Sequence, residues 1–317
     1  MRPVFSSALG ACAFLLLSGS ANAGPWWTGP LLAPAGHTIP RGHTNLELYG
    51  FFTENDGTFD QHWKFVHTPA NRSTVFNPIF SHGLTDSLDI QFSVPYAYNR
   101  NQGKSSRKIS DTGVTLGYQL LEQKDSRWIP DLRVTVGEII PTGNFEDLDP
   151  VNNGVDATGS GSYQTALALN FQHLLPVFEN HWLRTRLSLS YVYSGDVQVH
   201  GINSYGGAAN TFGEVDPGNQ ISADLAGEFN VTQNWVAVME GFIANRTPAV
   251  FKGFPGTDSK GQLVSVGHGT VDSITLAPAI EYNFNSNVGV IGGYWYTLTG
   301  RDTSQFHSVV VALNAYW

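Results

Sequence analysis

The chain has 317 residues, and its 17 lysines and arginines are outnumbered by 26 aspartates and glutamates. This acidic balance argues against a nucleic-acid partner, and a single cysteine, Cys12, excludes a disulfide framework within the chain. The 34 glycines, 12 tyrosines and only 14% charged residues indicate a strand-rich exported protein with many turns.

Residues 1–23 have the pattern of a cleaved secretory signal peptide. A basic start precedes an apolar run at residues 11–17, and the small residues at 21–23 place the expected cleavage before Gly24. A lipoprotein signal ending at Cys12 is the alternative, but its apolar core would precede the cysteine, whereas here it follows. Cleavage before Gly24 would remove Cys12 and leave a mature chain without thiols.

Residues 24–43 are too rich in proline and glycine for a regular strand or helix. The segment is predicted to fold back into the interior of the domain that follows it, as a plug with Trp26 and Trp27 at its apolar tip. A loose leader is the alternative. His37 and His43 lie in the near-repeat GHTIPRGHTN. Two histidines without a third ligand are a weak metal signal, so no metal and no other cofactor is predicted.

From Thr44 onward, apolar and polar side chains alternate in about twelve segments of roughly 9 to 14 residues, the length of a tilted membrane strand. In the segment that contains Ile274 and Ile280, these two residues share one face, whereas Ser273 and Thr275 share the other. One face suits lipid and the other suits water. The same period recurs at residues 88–98, 113–120, 183–193, 221–231 and 308–317.

The connections between these segments alternate in length, and this pattern is typical of outer-membrane barrels, which have short turns on one rim and long loops on the other. Residues 44–317 are therefore predicted to form an all-β, transmembrane, antiparallel up-and-down barrel of about twelve strands, with short periplasmic turns and long extracellular loops. The expected location is the outer membrane of a Gram-negative bacterium. Short connections are expected at residues 85–87, 232–234 and 285–287, and long ones at 54–73 (with a possible strand extension at 63–67), 143–158, 196–217 and 247–270.

Lipid-facing aromatic residues fit the same topology. Tyr191 and Tyr193 lie late in an outward-running segment, and Phe284 lies late in an inward-running one, as two aromatic girdles require. Trp317 is predicted to anchor the closing strand at the periplasmic rim. A C-terminal strand that ends in an aromatic residue also resembles the signal read by the barrel-assembly machinery. Outer-membrane lipid and that machinery are therefore the expected partners.

The opposite faces carry charges that predict a wet or ion-paired interior, because a charge inside the bilayer span needs water or a partner. Arginines that face carboxylates would orient polar solutes; internal salt bridges that lock the barrel shut are the alternative. No aromatic ladder is evident on these faces. The candidate lumen-lining residues are Glu47, Asp89, Asp131, Asp224, Glu228, Glu240, Glu281, Arg133, Arg184 and Arg186.

Residues 111–174 carry three turn and strand features in succession. A DxGxxLGYxLL-type strand starts at Asp111, a Pro-Thr-Gly turn follows at residues 141–143, and a glycine-rich segment at residues 159–162 opens the next strand. Together they resemble the outer-membrane family named for the MetA pathway of phenol degradation. The resemblance implies an outer-membrane channel for small hydrophobic or aromatic compounds.

The predicted function is a passive channel, or diffusion transporter, for small solutes of unknown identity that pass through a charged lumen. A surface adhesin or structural barrel that binds partners through its long loops is the alternative. Neither GxSxG nor HExxH occurs and the ten histidines are scattered, so the chain is predicted not to be an enzyme and to have no catalytic residues.

Overall fold

The computed structural model of the chain describes residues 25–124 and 128–317, so the predicted signal peptide and Cys12 lie outside the described residues. The described residues form an all-β protein with one helical turn, a 3-10 helix at Pro150–Asn152. No helix in this part of the chain is long and apolar enough to cross a membrane. The strands are β1 (Thr44–Phe59), β2 (Phe65–Gly83), β3 (Leu88–Ser93), β4 (Tyr96–Asn101), β5 (Lys104–Ile109), β6 (Thr112–Leu121), β7 (Asp131–Ile140), β8 (Gln164–Phe178), β9 (His181–Ser194), β10 (Val197–His200), β11 (Phe212–Asp216), β12 (Gln220–Asn230), β13 (Trp235–Arg246), β14 (Val250–Phe254), β15 (Val271–Leu276), β16 (Ala279–Asn283), β17 (Val288–Arg301) and β18 (Thr303–Tyr316).

These strands close into a twelve-stranded antiparallel barrel, which confirms the predicted fold class. β1 pairs with β18 on one side and with β2 on the other, so the first and last strands complete the ring. Thr44 and Trp317 also exchange backbone hydrogen bonds of 2.8 and 3.0 Å at this seam. A closed ring leaves no unpaired sheet edge, as a membrane-spanning sheet requires. Three positions of the ring are each shared by two strand segments, namely β15 and β16, β5 and β6, and β3 and β4. The ring order is β1, β18, β17, β15/β16, β13, β12, β9, β8, β7, β5/β6, β3/β4 and β2.

Two positions in the ring are interrupted by proline. Pro95 lies between β3 and β4, and Pro278 lies between β15 and β16. Proline has no amide hydrogen to donate to the ladder, so each strand breaks there and resumes in the same position of the ring. β5 and β6 also share one position and are separated by Ser110 and Asp111.

The two rims of the barrel differ in their connections. The turn rim holds Thr44, Trp317 and the short turns at residues 84–87, 179–180, 231–234 and 284–287. The loop rim, opposite, holds the long connections at residues 141–163, 195–219 and 247–270. Within the last two of these, β10, β11 and β14 form a separate three-stranded sheet over a core of Val197, Val199 and Val215.

The prediction of a long loop at residues 54–73 is wrong. β1 continues to Phe59 and β2 begins at Phe65, so only five residues connect the two strands. The register shifts between Asn55 and Gly57, where a bulge gives β1 one residue more than β18 and gives β2 two residues more than β1. A bulge reverses the alternation of faces, and this hides the continuing strand from a search for a period of two.

Side-chain exposure alternates along the strands. In β18, Val309, Val311 and Leu313 are exposed, whereas Val310 and Ala312 are buried. Because strand residues alternate between faces, the exposed set lies on the outside of the ring and the buried set lies inside. The outside is therefore apolar, and the inside holds the residues described below.

Candidate functional site

The inside of the barrel is occupied by residues 25–43, named here the inner segment. It starts at the turn rim, where the amide of Trp26 donates to the carbonyl of Gln233 at 3.4 Å. It returns to the same rim, where the amide of Gly42 donates to the carbonyl of Gly83 at 3.0 Å. Between these points it bends inward, and residues 31–33 reach the middle of β13.

Glu240 holds the bend of the inner segment. The Leu32 amide donates to both of its carboxyl oxygens, at 3.1 and 3.0 Å, and the Ala33 amide donates to one of them. Glu240 is only 1% exposed. A carboxyl group enclosed in this way is costly unless it is hydrogen-bonded, so the inner segment supplies donors that the side chain needs.

Glu281 and Asn283 on β16 hold the start of the inner segment. Glu281 accepts hydrogen bonds from the amides of Thr28 and Gly29, the latter at 3.3 Å. Asn283 accepts from the Thr28 hydroxyl at 2.8 Å and donates to the carbonyl of Trp26 at 3.0 Å. Glu281, with no exposed surface, therefore has its hydrogen-bond donors supplied by the inner segment and by Asn283.

Gln119 on β6 and Asp89 on β3 hold the returning part of the segment from other strands of the ring. Gln119 donates to the carbonyl of Gly36 at 3.0 Å and accepts from the amide of Thr38 at 2.7 Å. Asp89 accepts from the amide of Ile39 at 2.9 Å. The segment is thus bound by side chains from well-separated strands around the ring.

Two glycines of β17 make room for the inner segment. A Cβ atom added at Gly289 would overlap the Thr28 hydroxyl, and one added at Gly293 would overlap the Leu31 side chain. The wall facing the segment therefore fits it closely, because at these two positions any larger residue would displace it.

Leu31 is the apolar tip of the inner segment and is 2% exposed. The tip expected at Trp26 and Trp27 lies here instead: Trp26 is at the turn rim, and Trp27 packs at the edge of the cluster around Leu31. This cluster lines one side of the interior and is made of inward-facing residues. Its buried members besides Leu31 are Val236, Val238, Ala277, Ala279, Ile291, Val310 and Ala312.

Arg133 and Asp89 form a bidentate salt bridge inside the barrel. The Nε and Nη2 atoms of Arg133 lie 3.1 and 2.6 Å from the two carboxylate oxygens of Asp89. The strand between them, β6, places Gly117 beneath the guanidinium, and a Cβ there would overlap it. This glycine of the LGY motif allows arginine to reach across a strand to its partner.

Arg184 and Arg186 on β9 both contact Glu228 on β12. Arg184 forms a two-contact pair with Glu228, and the Nε atom of Arg186 lies 3.5 Å from the same carboxylate. Arg184 also lies over the Trp27 ring, 4.6 Å from its centroid, and Arg186 donates to the carbonyl of Ala33 at 3.1 Å. Each arginine therefore contacts both Glu228 of the wall and a residue of the inner segment.

The remaining predicted lumen residues lie in different surroundings. Asp224 is buried beside Glu240, and its Oδ1 atom has no hydrogen-bond partner in the described residues. Glu47 accepts a 3.3 Å hydrogen bond from Asn314 of the neighbouring strand, and Asp131 accepts a 2.8 Å bond from the amide of Gln123 near the turn rim. In the described residues, no bond joins Glu47 or Asp131 to the inner segment.

An aromatic ladder lines the interior, contrary to the expectation from the sequence. Tyr49 and Phe51 stack at 5.7 Å, Phe51 meets Trp295 at 6.4 Å, and Trp295 meets Phe306 at 4.7 Å between ring centroids. The members come from β1, β17 and β18, and Trp295 is opposite the fully buried Ser308. The register across three strands brings them together, and no single segment shows the ladder.

Gln119 and Asn283 are the polar residues that the sequence did not single out. Both are buried and both bind the inner segment. Both lie at inward-facing positions of their strands, so the alternation of faces is a signal that could have found them, although neither residue carries a charge. No group of three or more His, Cys, Asp or Glu side chains in the described ranges is arranged to hold a metal ion.

Asp111 joins the three features that carry the family resemblance. Its carboxylate accepts from the Gly143 amide at 3.0 Å and from the Ser160 amide and hydroxyl at 2.8 and 2.9 Å. The Tyr205 hydroxyl donates to the Ser160 carbonyl at 2.7 Å, and burial raises the pKa of this tyrosine to about 12. These contacts fix the long connections over the loop rim.

A twelve-stranded barrel with an internal N-terminal segment is the class of structure that these observations define. The chain is similar in fold to the crystal structure of an outer membrane channel from Pseudomonas putida F1, with a TM-score of 0.69 and 15% identity over 90% of this chain and 100% of that chain. For the NanC porin the TM-score is 0.45 and the sequence identity is 7%, over 85% of this chain and 98% of the porin chain. For the CymD monoaromatic hydrocarbon channel the TM-score is 0.41 and the sequence identity is 10%, over 88% of each chain.

Neither a protein-family profile nor a curated protein matches this chain. At these identities the likeness shows the fold, and membership of the phenol-degradation family stays a prediction.

Proposed function

We propose that this protein is an outer-membrane channel for small solutes, and that the inner segment closes its lumen from the periplasmic side. The observation that carries the proposal is the binding of residues 28–39 by inward-facing side chains from several strands, among them Glu240, Gln119 and Asp89. A segment held in this way lies across the path that a solute would take.

The bonds that hold the inner segment differ from those that hold the barrel. Between Thr28 and Ile39 the segment is bound through side chains of the wall, whereas the strands are bound to one another through backbone ladders. The segment can therefore leave without opening a strand pair, and its departure has a lower cost than barrel unfolding. This is the property expected of a gate.

The proposed solutes are small hydrophobic or aromatic compounds. The ladder of Tyr49, Phe51, Trp295 and Phe306 offers ring faces along one side of the interior. Aromatic pairs are stabilised by offset and edge-to-face contacts, so such a wall favours ring-containing solutes. The resemblance to the phenol-degradation family supports the same class.

The proposed location is the outer membrane, with the turn rim in the periplasm and the loop rim outside the cell. Trp317, which is 57% exposed at the turn rim, would anchor β18 at the lipid interface. Its strand would be the element that the barrel-assembly machinery recognises.

Single-channel recording in planar bilayers tests the proposal. Deletion of residues 24–36 should raise the conductance or the open probability relative to the full-length mature chain. A folded deletion variant with unchanged conductance would contradict the gate. Liposome swelling with graded sugars and aromatic acids gives a second test, since a barrel that admits none of them but binds cells or matrix would support the adhesin instead.

A further inference from the structure

A cavity of about 500 Å³ lies at the loop rim, on the other side of the barrel from the turn rim. Residues from β2, β4, β8 and β13, from the break between β5 and β6 and from the long connections line it, and none of them belongs to the inner segment. It is therefore separate from the site that holds the inner segment, and it is the first chamber that a solute would meet on entering from the loop side.

Arg246 is the one lysine or arginine among the residues that line this cavity. Its Nε and Nη2 atoms donate to a single acceptor, the Gln220 side-chain oxygen, at 3.3 and 3.0 Å. No carboxylate of the described chain lies within ion-pair distance of it, in contrast to Arg133 and Arg184. A guanidinium has five N–H donors, so most of those of Arg246 are available to a ligand.

The acidic group in the same lining, Asp111, forms no ion pair with Arg246 in the part of the chain that the structure describes. Asp111 has both carboxylate oxygens engaged by the Gly143 amide and by Ser160. Tyr205, which also lines the cavity, has its hydroxyl proton directed to the Ser160 carbonyl at 2.7 Å. The lining therefore carries one negative and one positive charge that are not paired with each other, and Arg246 is the one that has free hydrogen-bond donors.

The wall of the cavity formed by β2 and β4 holds an apolar pair next to the polar pair of Ser73 and Asn99. Val75 and Ala97 are cross-strand neighbours that line it, and Ala97 is buried. On the next strand, Phe51 is opposite Val75, which connects this wall to the aromatic ladder. A molecule in the cavity would have a cation on one side and, on the other, the apolar pair of Val75 and Ala97 with polar neighbours.

We infer that this cavity binds a small organic monoanion, with a carboxylate on Arg246 and an apolar body against Val75 and Ala97. The planar guanidinium matches a carboxylate with two parallel hydrogen bonds, and the volume lies in the range of small-molecule sites. The inference rests on the proposed channel, because it names the solute class that the loop rim selects.

Benzoate is the probe, and its binding to the detergent-solubilised full-length mature protein is measured by isothermal titration calorimetry. Benzamide has the same ring without the charge, and acetate has the charge without the ring. Benzoate should bind more tightly than either. Arg246→Gln should weaken benzoate binding by about tenfold or more, the range of a charge-assisted hydrogen bond. It should leave the weak binding of benzamide unchanged.

Two further variants test the role of the charge. Arg107→Gln removes a cation that lies over Tyr98 outside this cavity, and it should leave the affinity for benzoate within about twofold. Gln220→Glu keeps Arg246 but gives it a carboxylate on the neighbouring strand, at a position in register with it. It should weaken benzoate binding as Arg246→Gln does, and it remains informative if the latter fails to fold.

Equal affinities for benzoate and benzamide in the wild type would overturn the inference, as would full benzoate affinity in a folded Gln220→Glu variant. These results concern binding in detergent and do not depend on current through a bilayer. If benzoate fails to bind while the deletion of residues 24–36 opens the pore, the anion site is wrong and the channel stands. If benzoate binds but no variant conducts, the channel is wrong.

Discussion

Replacement of Glu240 by glutamine is expected to loosen the gate without damage to the barrel. The carboxyl group receives the amides of Leu32 and Ala33 on its two oxygens. A glutamine oxygen at the Oε1 position still accepts from both amides, but the NH2 group takes the place of Oε2, so one hydrogen bond is lost and the new buried donor faces the Leu32 amide instead of an acceptor. Such a loss costs about 1–3 kcal/mol. Because about 1.4 kcal/mol corresponds to a factor of ten, the ratio of open to closed channels should rise between about fivefold and a hundredfold.

Open probability in planar bilayers measures this ratio. Glu47→Gln is the matched control, since Glu47 is also on an inward-facing strand position but is bonded to Asn314 rather than to the inner segment. Heat-modifiable migration on gels verifies that each barrel is folded. Glu47→Gln should have the open probability of the wild type. If Glu240→Gln also has the open probability of the wild type, the side-chain bonds to the inner segment do not hold the gate.

Three further results are expected. The Thr28 hydroxyl lies 2.8 Å from the Asn283 side-chain oxygen. A disulfide in the double variant Thr28→Cys/Asn283→Cys should therefore lower the open probability, and reduction with dithiothreitol should restore it. An equal open probability in the oxidised and reduced forms would count against gating by this segment. Burial raises the pKa of Tyr205 to about 12, above the value of about 10 for an exposed tyrosine, so this residue stabilises the loops fully below pH 10 and loses that effect as pH rises toward 12. The tyrosinate absorbance of the wild type minus that of Tyr205→Phe should accordingly appear only near pH 12, and its appearance near pH 10 would contradict the burial. Deletion of Trp317 removes the backbone pair with Thr44 and should lower the yield of folded barrel in the outer membrane, whereas Trp317→Phe should retain it; equal yields would remove the proposed assembly role.

The barrel could be predicted from the sequence because its cause is local. Alternation in segments such as the one around Ile274 and Ser273 depends only on neighbouring residues, and it survives in the structure as alternating faces. The first loop could not be predicted, since the bulge between Asn55 and Gly57 interrupts the period while the ladder continues.

The arrangement inside the barrel depends on register, which a single strand does not reveal. Arg133 reaches Asp89 only because Gly117 of the strand between them has no side chain in the way. The aromatic ladder likewise needs three strands aligned to within one residue. The composition of residues 24–43 predicted an irregular segment, but the position of its tip at Leu31 is set by the wall, where Gly293 leaves the space.

The inner segment runs directly into β1, and its tip at Leu31 is only a short stretch of chain from Thr44. As the proposed gate, the inner segment would remain attached to the barrel that binds it, and reclosure would be a unimolecular event whose rate does not depend on the protein concentration. A short tether gives an effective concentration on the order of millimolar. A free peptide with the sequence of residues 25–43 would have to reach about that concentration at the turn rim before it competed with the attached copy.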